Sequence, residues 1–259
     1  LAFIALTIYN KRSVMFYKYM NIYNHMHYGG IGLIKENLEA VNKRIADAAA
    51  RVGRTDKITL VAVTKNHPVE MMEEAAKCGV TDVGENRVQE ALQKLEAFPD
   101  NHLTWHLIGH LQTNKAKHAV EHFDLIHSID SEHLLKAVDK EAGKIGKVQD
   151  ILLQVNVARE ESKFGMEVED FPAMCEMAKT MEHVRVLGLM CIAPNYDNVE
   201  DVRPVFRIAH ALYEDMKPKF PEGQIRYLSM GMTHDFEIAI EEGANVVRVG
   251  TAIFGPRNY

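Results

Sequence analysis

A chain of 259 residues with 47% hydrophobic and 25% charged side chains has the balance of an ordinary globular domain or pair of domains. Its net charge of −6 is interspersed, which argues against a broad basic face for nucleic acid. Its three cysteines (Cys78, Cys175, Cys191) stand far apart without a CxxC, so neither a disulfide framework nor a cysteine zinc site is supported, and a reducing cytoplasm fits best.

The chain opens on "LAFIALTIYNKRSVMFYKYMNIYNHMHYGG", rich in tyrosine and without clear periodicity. Its apolar run, Leu1 to Ile8, is too short to cross a bilayer. No basic residue precedes that run and no convincing cleavage site follows, so a signal peptide is not supported. Residues 1–33 read as an irregular extension from an upstream start codon, with Met15, Met20 and Met26 as alternative starts. A membrane association is not expected.

From Ile34 the pattern becomes regular. "LIKENLEAVNKRIADAAARVG" sets Leu38, Val41, Ile45, Ala48 and Ala49 on one face and predicts an amphipathic helix stopped by Gly53. Predicted strands follow at 58–65, 82–86, 104–109, 124–130, 150–156, 184–190, 226–231 and 246–251, and helices such as "SEHLLKAVDKEAGKIG" and "VEDFPAMCEMAKTM" fill the gaps. Strands this apolar are buried on both faces, as in a parallel sheet. Eight of them alternating with helices predict one α/β domain over 34–259, a (β/α)8 TIM barrel preceded by an N-terminal helix; an open doubly wound sheet is the competitor.

In a barrel the chemistry belongs at the C-terminal ends of the strands. There the sequence places Lys65, then Glu85-Asn86-Arg87, His106 with Gly109, Gln112 and Asn114-Lys115, Asn156, Ser229 with Gly231, and Arg248 with Gly250 and Thr251. Singly, each is a helix cap or a strand-end bond; together they outline a ligand site. Lys65 ends an apolar strand, "ITLVAVTK", where partial burial would favour the neutral amine that attacks an aldehyde. A lysine whose stem packs and whose head reaches water is the equal alternative. "LSMGMTHDF" and "VRVGTAIFG" each offer glycine and hydroxyl ahead of a helix, a setting for phosphate. An aldehyde-capturing lysine with a phosphate cup suits pyridoxal 5'-phosphate (PLP), and Arg248 could face its pyridine nitrogen or pair with an acid such as Glu85.

These segments carry a resemblance. "AVTK", "GENRVQE", "WHLIGHLQTNK", "NVAREESKFGM", "GLM", "LSMGMTHD" and "VRVGTAIFG" run in the order found in the pyridoxal phosphate homeostasis protein family, also described as PLP-binding proteins, across nearly the whole chain after residue 33. The resemblance implies a barrel similar to the N-terminal domain of alanine racemase, with Lys65 forming the internal aldimine. It implies Ser229, Gly250 and Thr251 around the phosphate, Arg248 at the pyridine nitrogen, and Asn86 and Met230 near the cofactor. Lys163 matches a family lysine in a loop near the site, and Thr233 stands where serine is common. The first thirty residues match nothing in that pattern. The implied role is non-catalytic: a cytoplasmic, monomeric protein that buffers PLP in vitamin B6 homeostasis and supplies apo PLP-dependent enzymes.

The competing readings are enzymes. A small amino-acid racemase needs a second base on the opposite face of its substrate. Tyr227, Tyr196, His106 or Lys163 could serve, although the chain has no length for the extra β-domain that helps supply one in alanine racemase. A barrel aldolase using Lys65 on another phosphorylated aldehyde is the more distant alternative. Thirteen histidines invite a metal, yet His118 and His122 have no third ligand in view and read as solvated helix residues. The acids of "EVEDF" and "DSEHL" read as helix caps and first-turn charges.

Overall fold

The computed structural model describes residues 31–99, 102–160 and 162–256; the expected extension lies outside the described residues as far as position 30. The first described element is α1 (Ile31–Arg51). Ile34, Leu38, Val41, Ile45 and Ala48 recur every three or four residues and are all buried, and the helix ends near Gly53, whose φ of +68° suits glycine.

Among the described residues, eight strands then alternate with eight helices. The strands are β1 (Thr59–Val63), β2 (Asp82–Glu85), β3 (Thr104–Leu107), β4 (Leu125–Ile129), β5 (Gln149–Gln154), β6 (Val184–Met190), β7 (Tyr227–Ser229) and β8 (Val246–Val249). The helices are α2 (Val69–Lys77), α3 (Val88–Ala97), α4 (Ala116–His122), α5 (Glu132–Lys144), α6 (Phe171–Ala178), α7 (Arg203–Met216), α8 (Phe236–Glu241) and α9 (Thr251–Phe254). Each strand pairs in parallel with the next, and β8 pairs with β1 to close the barrel. The expected fold is therefore present, and α1 packs on its outside against α2, α8 and α9. No helix among the described residues is long and apolar enough to cross a membrane.

Alternation along the strands divides two environments. Outward residues such as Val83, Leu107, Ile126, Ile151, Leu153 and Val247 join the helices in the main core. The register sets Val61 beside Arg248, Val63 beside Gly84 and Gly84 beside His106, so these residues share the inner face. The inside also holds a small apolar cluster of Leu125, Leu152, Leu187 and Met190. Gly188 interrupts the β5–β6 register at φ +155°, where a Cβ would stand 1.8 Å from the Tyr227 carbonyl oxygen; glycine is the residue that fits there.

The observed strands stop one or two residues short of the predicted C-terminal ends, except β6, which ends at Met190 as predicted. Ladder bonds persist beyond them, as in Thr64 N–H to Gly84 O at 3.1 Å and Arg248 N–H to Gly231 O at 3.0 Å, but the chain is already turning to build the rim. The predicted helix over 131–146 shortens to α5, capped by the Ser131 hydroxyl. The segment read as helical from Val168 begins as a 3-10 turn, and Asp170 makes no side-chain cap bond.

Candidate functional site

The mouth is built around the turn after β1. Lys65 lies two residues past the strand end, half-buried, and Asn66 follows at φ +60°. Register places this turn: with Val63 beside Gly84 and Ala62 beside Val249, Lys65 emerges between the segments carrying Asn86 and Gly250-Thr251. The approach is close on the β8 side, where a Cβ on Gly250 would stand 3.1 Å from the Val63 carbonyl oxygen. On the β3 side a Cβ on Gly109 would stand 2.3 Å from the Asn86 carbonyl oxygen, so that loop interlocks with the Asn86 main chain.

Both neighbours of Lys65 are pinned from outside the barrel. Thr64 Oγ1 donates to Glu85 Oε1 at 2.5 Å, and Lys94 Nζ donates to Thr64 O at 2.7 Å and to Glu85 Oε1 at 2.6 Å. Glu90 accepts from the Asn66 N–H and from Lys94 Nζ. Glu85 is fully buried, and burial outweighs the attraction of Lys94 to hold its carboxyl above the usual range. Its other oxygen has no hydrogen-bond partner among the described residues. Glu85 is thus committed to Lys94 and not to Arg248, because with Gly84 facing inward Glu85 faces the helices.

Arg248 lies on the inner face, 4% exposed, where Nη1 donates to Ser229 Oγ at 2.7 Å and Nη2 to the Cys191 carbonyl at 3.0 Å. Burial lowers its pKa from the usual arginine value and pushes the neighbouring Cys191 thiol up to about 12. Ser229, expected at the phosphate, is fully buried with its hydroxyl between Arg248 and His127. Met230 is likewise fully buried. Asp235 anchors the loop beyond β7 by accepting from the Met232 N–H at 2.5 Å, leaving Thr233 half-buried on the segment.

A second loop, described over residues 157–160 and 162–165, follows β5. Asn156 Nδ2 donates to the carbonyls of Glu160 at 3.0 Å and Lys163 at 3.4 Å, and Gln154 Nε2 donates to Phe164 O at 2.9 Å. Phe164 stacks on His110 with ring centroids 3.8 Å apart, and Lys163 faces Glu160 at 3.9 Å.

Sequence reasoning passed over Asp82 and His127, which with His106 fill the inner face below the mouth. A signal was available for His127, a polar ring in the largely apolar strand "LIHSI", whereas Asp82 merely opens β2. Glu121 was also missed. It brings a carboxylate within 4.8 Å of His118 and His122, on an exposed surface where it already pairs with His118 at 3.3 Å.

Comparison with known proteins finds that the family model for the alanine racemase N-terminal domain matches residues 36–258. The chain is 45% identical over 225 residues to the pyridoxal phosphate homeostasis protein of Aquifex aeolicus, covering 86% of this chain and 98% of that one. It is 36% identical over 231 residues to the protein of that name in Escherichia coli, covering 87% and 97%. The structure of PipY from Synechococcus elongatus with PLP bound is similar at TM-score 0.76 and 37% identity, covering 86% of this chain and 100% of that one. An alanine racemase from Clostridium difficile shares the fold at TM-score 0.68 and 13% identity.

Proposed function

The chain belongs to the pyridoxal phosphate homeostasis protein family, and on that premise we propose that it binds PLP at the barrel mouth and serves intracellular vitamin B6 homeostasis without catalytic turnover. The observation that carries this reading is the register, which sets Lys65 between Asn86 and Gly250-Thr251 above the buried Arg248. Bound PLP supplies an aldehyde for a lysine to capture, a phosphate, and a ring nitrogen that accepts a hydrogen bond.

The residues fit those three groups. Lys65 would hold the aldehyde carbon covalently; its turn is fixed on both sides, which restricts where the amine can go. Gly250 and Thr251, opening α9, and Thr233 on the Asp235-anchored loop would receive the phosphate. Arg248 would face the ring nitrogen; a guanidinium can only donate, so that nitrogen would stay unprotonated and the ring would be a weak electron sink. Asn86 and Met230 would flank the cofactor, and Ser229 would act from below by holding Arg248.

Three of the four candidate second bases are engaged or remote, which supports storage over racemisation. His106 has both ring nitrogens engaged inside the barrel, and Tyr227 begins β7 at the end opposite the mouth. Lys163 is paired with Glu160 on the clasped loop. The protein would buffer the free aldehyde and release it to apo PLP-dependent enzymes.

The test is to purify wild type and Lys65→Ala, record visible absorption with added PLP, and reduce both with borohydride. A yellow wild type whose fixed adduct maps to Lys65, beside a colourless variant, supports the reading. A wild type that takes up no PLP sinks it. Deuterium appearing at the α-carbon of amino acids incubated with the loaded protein would favour a racemase instead.

A further inference from the structure

Five strands contribute one side chain each to an unbroken hydrogen-bonded chain through the inside of the barrel. Arg248 Nη1 lies 2.7 Å from Ser229 Oγ, and Ser229 Oγ lies 3.0 Å from His127 Nδ1. His127 Nε2 lies 2.9 Å from His106 Nδ1, and His106 Nε2 lies 2.9 Å from Asp82 Oδ1. His127 and Ser229 are fully buried, His106 is 4% exposed, and Asp82 opens β2 at the end away from the mouth.

The chemistry of the two ends sets the direction of every bond. A guanidinium has donors only, so Ser229 Oγ accepts from Arg248. The hydroxyl proton then has His127 Nδ1 as its acceptor. An imidazole that accepts at Nδ1 and is neutral carries its proton on Nε2, which donates to His106 Nδ1. His106 in turn carries its proton on Nε2 and donates to Asp82, whose carboxylate only accepts. A doubly protonated His127 would give Ser229 Oγ two donors and leave the hydroxyl proton without an acceptor in this chain. Burial, His106 and Arg248 together hold His127 well below the usual histidine value, which keeps it neutral.

We propose that His127 is a positioning residue for Arg248: locked with its proton on Nε2, it orients the Ser229 hydroxyl toward the guanidinium and, through His106, ties that group to the Asp82 carboxylate at the far end of the barrel. The chain is polarised in one direction and does not shuttle protons, because Arg248 cannot accept one back. Its service to a bound ring nitrogen rests on the PLP reading above; the proton positions do not.

Two measurements test it. Long-range 1H–15N spectra of the 15N-histidine protein without added PLP, recorded from pH 6 to 8 and assigned by single substitution, should show bare Nδ1 and protonated Nε2 in both His106 and His127. A protonated Nδ1 on His127 overturns the chain. His127→Leu should fold, as followed by circular dichroism, and still yield the borohydride-fixed Lys65 adduct, while its PLP dissociation constant rises about tenfold. If His127→Leu does not fold, Asp82→Asn takes its place, changing only the far end; it should weaken PLP and shift the visible band of the bound form. Unchanged affinity and spectrum in the folded variant overturn the positioning role alone. Failure of the wild type to take up PLP defeats the functional reading, and the positioning of a bound ring with it.

Discussion

Lys94 reaches from α3 to the Thr64 carbonyl at 2.7 Å, so the residue before Lys65 is held by a cation buried between the barrel and its helices. The same ammonium neutralises Glu85, which has no other cation at salt-bridge distance among the described residues. Removing one partner of a buried pair leaves the other charge uncompensated and typically costs about 3–5 kcal/mol. Lys94→Met is therefore expected to lose stability of that order in urea unfolding and to weaken PLP capture by Lys65. Adding Glu85→Gln should recover part of the loss. A single variant within about 1 kcal/mol of wild type would show that the cluster does not hold the turn.

Gly109 tests the interlock on the other side. A Cβ added there would stand 2.3 Å from the Asn86 carbonyl oxygen, so Gly109→Ala must displace main chain rather than a flexible side-chain end. Expected is a loss of about 1–3 kcal/mol together with weaker PLP binding, because Asn86 flanks Lys65. Gly146→Ala is the control: its φ of +66° carries backbone strain, but a Cβ there meets nothing within 4 Å. It should lose stability without changing PLP affinity; loss of affinity in both would remove the case for Asn86.

The barrel was legible in the sequence because short, mostly apolar runs recur eight times with amphipathic helical stretches between them. Lys65 and Arg248 were legible as charges at the ends of such strands. Inner and outer faces were not. Two residues of opposite parity, Gly84 and Glu85, fall on different sides only once β1 and β2 are in register, which is why Glu85 stood as an alternative partner for Arg248 and instead meets Lys94. His127 could be seen as a histidine in an apolar strand, but its partner Ser229 is 102 residues away, a distance no local pattern encodes.

Asn156 is expected to act as the clasp of the 157–165 loop, since its side chain bonds the carbonyls of Glu160 and Lys163 and accepts from the Glu160 N–H. Asn156→Ala should leave the barrel intact while opening the loop. Trypsin can cut after Arg159 and Lys163, so cleavage there under native conditions should quicken several-fold. Mass spectrometry of the first fragments checks the position. An unchanged rate would mean that Gln154 and the His110–Phe164 stack hold the loop unaided.

The neutral His127 carries a pH signature of known sign. Below its usual value of 6.5 the unfolded chain takes up a proton that the folded chain refuses, because burial, His106 and Arg248 depress the folded-state value. The unfolded state then binds more protons, so stability falls as the pH drops below 6.5, by up to about 1.4 kcal/mol per unit from this one group. Glu85, Asp130 and Asp235 act oppositely: raised by burial, they destabilise as the pH rises from the ordinary carboxylate range through their folded-state values. The difference between wild type and His127→Leu isolates the histidine. Denaturant unfolding between about pH 5 and 7 should show the stability gap between the two proteins narrowing toward acid, and a constant gap would mean that His127 titrates alike in both states.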